Sequence, residues 1–271
     1  MKLVESILKN NPCYKTGRKI TVKGLMLHSV GCPQPKASVF INLWNKADYR
    51  NACVHAFIDG NDGTVYQTLP WNHRGWHCGS GKKGSGNNTH IGVEMCEPSG
   101  IKYKGGSVFW SSDMTTSVIA VVKRTYQSAV ELFAMLCKEY NLNPLEDGVI
   151  ISHREGHKRG IASNHGDPEH LWKGLGLPYT MDGFRKDVKA KMEKSETSNV
   201  PENPKKEFQV KISISDLNIR KGPGTNYGKT GNKTGKGTFT IVEEADGLGA
   251  SKWGRLKSGA GWISLDYAER V

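Results

Sequence analysis

The sequence predicts an α/β domain, a β-sheet flanked by helices, followed by a small all-β domain. Three observations carry this. Short apolar runs that read as buried strands, at residues 24–27 (GLML), 91–96 (IGVEMC) and 148–151 (GVII), alternate with stretches whose apolar residues recur at helical spacing. At 195–206 (SETSNVPENPKK) the chain turns polar, gains proline and is almost free of apolar residues, as a linker is. Beyond it come β-type runs split by glycines, with no helical period. The expected division is a domain at 1–194, a linker at 195–207 and a domain at 208–271. A chain of 271 residues has room for one good-sized domain and one small one.

In chain order, the run at 24–27 reads as an inner strand with His28 at its exit. A histidine so placed is more often hydrogen-bonded structure than ligand. Residues 37–47 put Val39, Phe40, Leu43, Trp44 and Ala47 on one helical stripe, best read as core packing. Residues 53–70 read as a hairpin turning at DGNDG, and 74–79 (RGWHCG) open a glycine-rich loop reaching Asn88. Glu94 is an acid set inside the apolar run 91–96; such a carboxyl has a raised pKa or a partner, which makes it a better catalytic candidate than a surface acid. Residues 112–140 form the longest helical pattern, a scaffold element without evident chemistry. Residues 180–194 repeat Phe184, Val188 and Met192 at i, i+4 and i+8 and close the first domain. The tail from 208 reads as a small barrel or sandwich.

Totals exclude several classes. No apolar run approaches the ~18 residues of a membrane span, and the start, MKLVESILKNNP, lacks the apolar region and cleavage site of a secretory signal. By its own sequence the chain is expected to stay in the cytoplasm unless something else releases it. The six cysteines are scattered without a CxxC pair, so they are expected to be reduced and mostly buried. The net charge of +12 suits solubility, nucleic acid or another polyanion such as an acidic envelope. The basic residues are spread along the chain and match no nucleic-acid-binding signature, so an envelope polymer is the better partner and no nucleic acid is expected.

The densest chemistry lies at 152–172 (SHREGHKRGIASNHGDPEHLW), with four of the nine histidines and Asp167 and Glu169 among them. Glycines and Pro168 there argue against a regular element. A catalytic zinc takes three protein ligands and leaves a position for water. His28 and His153 both follow apolar strands. If those strands are parallel neighbours, both imidazoles emerge at one sheet edge, where open α/β sheets carry ligands. Asp167 could then fold back as the third ligand. His157 rivals His153, although HREGH has its Glu at the third position and Gly156 within it.

The segments LMLHSV, VHAFIDGNDGTVYQ, RGWHCG, IGVEMCEP and SHR…SNHGDPEH occur in order over roughly the first 190 residues. Together they resemble the zinc N-acetylmuramoyl-L-alanine amidases of the type-2 amidase family. The resemblance implies a mixed central β-sheet flanked by helices, and a zinc ion (Zn2+) held by His28, His153 and Asp167. It implies Glu94 as the group that takes the proton from water. It also implies His165, two residues before the third ligand where relatives often have lysine, as the stabiliser of the oxyanion. The short phage branch uses a tyrosine before the hairpin histidine; Val54 precedes His55 here, so the role falls to Glu94. Trp76, His77 and Asn164 are candidate groove contacts, with packing or turn roles nearly as good a reading. His55 either packs in the hairpin or lies just behind the metal. His73, His90 and His170 read as surface or structural.

The tail segments DLNIRKGPGTNYG and GWISLDY resemble a bacterial SH3-type wall-binding module, hence an SH3-like barrel. Ten Lys/Arg against six Asp/Glu from residue 208 leave it at about +4, suited to an anionic wall. Arg220, Lys221, Tyr227, Trp253, Trp262 and Tyr267 could face a ligand, with core packing the better reading for both tryptophans. An amidase joined to such a module resembles a phage endolysin of a Gram-positive host. It would act on bacterial peptidoglycan after release through a separate membrane pore. The rival readings are a non-catalytic peptidoglycan-recognition protein, against which the full ligand set speaks, and a zinc endopeptidase cutting the peptide stem.

Overall fold

The computed structural model describes residues 1–197 and 207–271. They form two compact units, Met1–Ser195 and Glu196–Val271, each with its own core. The linker expected at 195–207 lies mostly outside the described residues.

The first unit runs β1 (Leu3–Glu5), α1 (Pro12–Thr16), β2 (Gly24–Ser29), α2 (Ala37–Trp44), β3 (Ala56–Ile58), β4 (Val65–Gln67) and β5 (His90–Met95). It continues with β6 (Ile101–Lys104), β7 (Ser107–Trp110), α3 (Thr115–Glu139), β8 (Ile150–Ser152), α4 (His153–Lys158), α5 (Glu169–Gly174) and α6 (Met181–Thr197). Six strands form one sheet in the order β1-β4-β3-β5-β2-β8. β3, β5, β2 and β8 are mutually parallel, whereas β4 and β1 run the other way, so the sheet is mixed.

β2 is buried along its whole length, as a parallel strand covered on both faces is. Its side chains alternate between those faces. Leu25 and Leu27 join a large core with Val118, Val122, Phe133 and Phe184 of α3 and α6. Met26 joins Cys78, Ile151 and Ala162 on the other side, and His28, two residues on, shares that side. Burial of Val118, Val122, Tyr126, Ala129 and Phe133, spaced by three or four, makes α3 the scaffold helix. All six cysteines are free thiols and five are buried. Among the described residues no helix is long and apolar enough to cross a membrane.

Two expectations need correcting. The stretch 152–172 contains two short helices, α4 and α5, despite its glycines. The Ser152 hydroxyl accepts from the Glu155 N–H (3.0 Å) and the Glu155 carboxylate accepts from the Ser152 N–H (3.1 Å), a capping box that starts α4 at His153. Gly156 fits because a side chain there would press on Met26 and Ala162. Second, His28 is not past its strand but inside it, since β2 extends to Ser29. The β6–β7 hairpin, turning on Gly105 and Gly106 at φ 57° and 79°, was not read from the sequence, nor were β1 and α1.

The second unit is all β: β9 (Phe208–Ile212), β10 (Asn218–Arg220), β11 (Lys229–Lys233), β12 (Gly237–Gly247), β13 (Ala250–Leu256), β14 (Trp262–Ser264) and β15 (Glu269–Arg270). They form one antiparallel sheet in the order β11-β10-β14-β13-β12-β9-β15. Val210, Ile212, Ile219, Ile241, Leu256 and Ile263 fill its core. Register shifts after Ile241 and after Ala245 bend the long β12. Trp253 is buried and Trp262 half-buried.

Candidate active site

Strand register builds the site. His28 pairs with Glu94 on β5, and Leu27 pairs with Ser152 on β8. His28, Glu94 and His153 therefore stand at one level at the C-terminal ends of three adjacent parallel strands, where open α/β sheets carry ligands. The chain returns Asp167 to this level, its carbonyl accepting from the Arg154 N–H (3.4 Å).

Three ligand-type atoms converge there. His28 Nδ1 lies 3.1 Å from Asp167 Oδ2 and 3.1 Å from His153 Nδ1, and His153 Nδ1 lies 3.5 Å from Asp167 Oδ1. A tetrahedral zinc site with bonds of about 2.0–2.1 Å separates its ligand atoms by roughly 3.3 Å. The three side chains are almost wholly buried, and they are the one His/Cys/Asp/Glu group of this kind among the described residues.

A chain of hydrogen bonds sets the tautomers. The His90 carbonyl can only accept, so His77 donates to it from Nε2 (3.1 Å). Burial pushes the His77 pKa well below the usual histidine value, so its ring is neutral and its Nδ1 accepts from His28 Nε2 (3.0 Å). With Nε2 engaged by His77, Nδ1 is the nitrogen that His28 turns toward Asp167 and His153. Its proton is the one shared with the Asp167 carboxylate, and its loss to a metal would free the lone pair a metal-ligating histidine needs. Gly92 makes room for this: a Cβ there would sit 2.4 Å from the His77 ring.

The electrostatics agree with a site for positive charge. Burial opposes a charge on His28, but its hydrogen bond to Asp167 and the charges of Glu94 and Asp167 outweigh that, and its pKa is raised. Burial takes the His153 pKa down to about 3, with the charge of His28 adding to it. Burial disfavours the Asp167 carboxylate too, yet the bond to His28 and the charges of both histidines hold its pKa below the usual value.

Glu94 points into the same space. Its Oε2 is buried without a hydrogen-bond partner, and burial pushes its pKa up to about 8 against the opposing pull of His28. Glu94, the three converging residues, Trp76 and His165 line a cavity of about 700 Å3. His165 is exposed at its rim, Nδ1 3.3 Å from His153 Nε2.

Other candidates fall elsewhere. His77 also lines the cavity, but its contact is with His28. Asn164 and His157 line a neighbouring cavity; the His157 ring bonds the Ala162 carbonyl (3.3 Å), and it is not among the converging residues. His55 has both ring nitrogens occupied, accepting from Gly92 N–H (3.0 Å) and donating to the His73 carbonyl (2.8 Å), and burial lowers its pKa to about 4. It packs edge-on against His77, one layer behind His28. His73 and His90 are buried.

One group escaped the sequence reading. Glu97 is fully buried, accepting from the Tyr103 hydroxyl (2.6 Å) and the Gly31 N–H (3.1 Å), and burial pushes its pKa up to about 7. His170, read as surface or structural, stands 3.1 Å from the Tyr103 hydroxyl and lines the central cavity. The available signal was a second acid just past β5, in VEMCE.

Comparison with known proteins identifies relatives of the chain. Residues 17–170 match the family described as N-acetylmuramoyl-L-alanine amidase. The chain is similar to the N-acetylmuramoyl-L-alanine amidase XlyB of Bacillus subtilis (strain 168), 25% identical over 211 residues that span 72% of this chain and 54% of that protein. It is also similar to the amidase CwlA of the same organism, 31% identical over 93 residues, 28% of this chain and 34% of that one. The chain thus spans about half of the one relative and a third of the other. In fold it is similar to Staphylococcus aureus hydrolase AmiA, solved in complex with its ligand, at 20% identity and a TM-score of 0.54, covering 74% of this chain and 88% of that one. With more than half of its residues matched, the chain belongs to the N-acetylmuramoyl-L-alanine amidase family.

Proposed function

We propose that this chain is a zinc-dependent peptidoglycan hydrolase of the endolysin type. It cleaves the amide between the lactyl group of N-acetylmuramic acid and L-alanine. The observation that carries the reading is the convergence of His28 Nδ1, His153 Nδ1 and the Asp167 carboxylate beside the unpartnered Glu94 Oε2. Two imidazoles and a carboxylate are a donor set that suits zinc and leaves a fourth position for water. A zinc ion held there supplies a Lewis acid that polarises an amide carbonyl and acidifies water.

The chain's own residues do the rest. Glu94 Oε2 accepts the proton of the water that attacks the carbonyl carbon, then returns it to the departing L-alanine nitrogen. Burial holds the Glu94 carboxyl up at about 8 against the pull of His28, and added positive charge at the three converging residues would favour its ionised, proton-accepting form. His165, at the rim, donates to the oxyanion that forms on the carbonyl; one such donor is commonly worth about 10²–10³ in rate. His77 holds His28 in its ligating tautomer, Trp76 forms a wall of the groove, and Asn164 serves the adjoining cavity. In the second unit, DLNIRKGPGTNYG and GWISLDY on an antiparallel sheet support an SH3-type module, at 208–271, that holds the wall of a Gram-positive phage host.

Metal titration with parallel lysis assays tests the proposal. His153→Ala is expected to lose zinc binding and wall lysis together, and His157→Ala to keep both. Lysis that survives His153→Ala unchanged overturns the ligand set.

A further inference from the structure

Beside the central cavity lies a second one of about 660 Å3, lined by Lys82, Lys83, Lys158, Arg159 and His157 and by no carboxylate. Its wall is built, not incidental. The loop carrying Lys82 and Lys83 is bonded to the segment after α4: Lys83 N–H donates to the Gly160 carbonyl (2.8 Å), Gly86 N–H to that of Ile161 (2.7 Å), and Ser163 N–H to that of Cys78 (2.9 Å). At Gly81 the two backbones touch, since a Cβ would lie 2.5 Å from the Gly160 carbonyl. Of the four cations, Arg159 alone has a carboxylate partner among the described residues, the exposed Asp147.

The two cavities adjoin. Ser163 lines both, with its Oγ 3.2 Å from His153 Nε2. Gly79 and His165 face the first, and their neighbours Ser80 and Asn164 face the second. α4 runs from His153 to Lys158, about 7–8 Å at a rise of 1.5 Å per residue. An extended peptide advances about 3.3 Å per residue, so Lys158 stands two to three residues from a bond held at His153.

We infer that this cavity is a subsite for carboxylates of the peptide stem, two to three residues beyond the scissile amide. The inference rests on the proposed amidase reading. Three lysines and an arginine around one cavity, with no carboxylate in its lining, set up a positive potential that attracts an anion to it. Stem carboxylates reach it in the same molecule whose amide reaches Glu94. The cavity thereby makes the chain selective for stems with free acids over stems whose acids are amidated.

The test uses the full chain loaded with zinc and two synthetic muropeptides, identical except for a free carboxylate or its amide on the second stem residue. Wild type is expected to cleave the free-acid peptide about tenfold more efficiently, the scale of one partly solvated charge-assisted contact. K82A/K83A/K158A brings that ratio near one and leaves cleavage of the amide unchanged, whereas K82R/K83R/K158R keeps the preference. All three lysines are exposed, so the substitutions remove no buried side chain. Equal cleavage of both peptides by wild type, or a preference that survives the alanine variant, overturns the inference. It is also overturned if the alanine variant loses only affinity for a soluble glycerol-phosphate polymer. Should neither peptide be cleaved, the amidase reading fails; calorimetry with the two synthetic stem peptides, free acid and amide, then decides on the cavity alone.

Discussion

At the scale of single residues, the site depends on which nitrogen carries a proton and which carboxyl goes without a partner. Glu94→Gln keeps the three converging atoms and removes the base. Its zinc content should match wild type while wall lysis, followed by turbidity, falls by about 10²–10⁴. A lysis rate within a few-fold of wild type removes Glu94 from the mechanism. Glu97 makes a separate prediction about stability. Its folded-state pKa, about 7, is raised above the value of 4.5 expected for an unfolded chain. Between those values the native state holds a proton that the unfolded chain has released. Stability from this group is thus present in full below 4.5 and is lost as pH rises through 7. Denaturant unfolding of metal-stripped protein should show Glu97→Gln declining less than wild type over that window, by up to about 3 kcal/mol. Parallel curves for the two proteins contradict the assignment.

At the scale of elements, α4 places His153, and Arg185 of α6 secures α4. Its guanidinium donates to both Glu155 oxygens (2.9 Å each) and to the Ile150 carbonyl (2.8 Å), tying helix, cap and strand together. Arg185→Ala is expected to cost about 2 kcal/mol in denaturant unfolding and to weaken zinc binding, although Arg185 touches no ligand. Unchanged zinc affinity confines Arg185 to stability. The same elements show what a sequence can disclose. His28 and His153 were visible because each adjoins an apolar run, and Glu94 because an acid interrupts one. Pairing of β2 with β5 and β8 was conditional in sequence terms, since register is a long-range property; the parallel sheet supplies it. α4 stayed hidden because six residues with a glycine have no usable period, and only its capping box marked it. The role of His77 was illegible for a similar reason: it depends on the space that Gly92 leaves on a strand distant in sequence. Glu97 and His170 meet through Tyr103, on a hairpin that the sequence reading did not assign.

At the scale of the molecule, the chain has a net charge of +12 and two compact units, one with the candidate site and one all β, and the proposed action on an anionic wall makes that charge testable. Raising ionic strength should release the full chain from isolated walls, as screening of spread-out basic residues requires. Binding that ignores salt assigns wall affinity to a specific, uncharged contact in the second unit. The central claim is that three converging ligand atoms and Glu94 hydrolyse the bond between glycan and peptide stem. Mass spectrometry of purified walls digested by the zinc-loaded chain tests it most directly. The account predicts new L-alanine amino termini with intact glycan strands; cuts within the stem or between sugars, with the muramoyl–alanine bond untouched, contradict it.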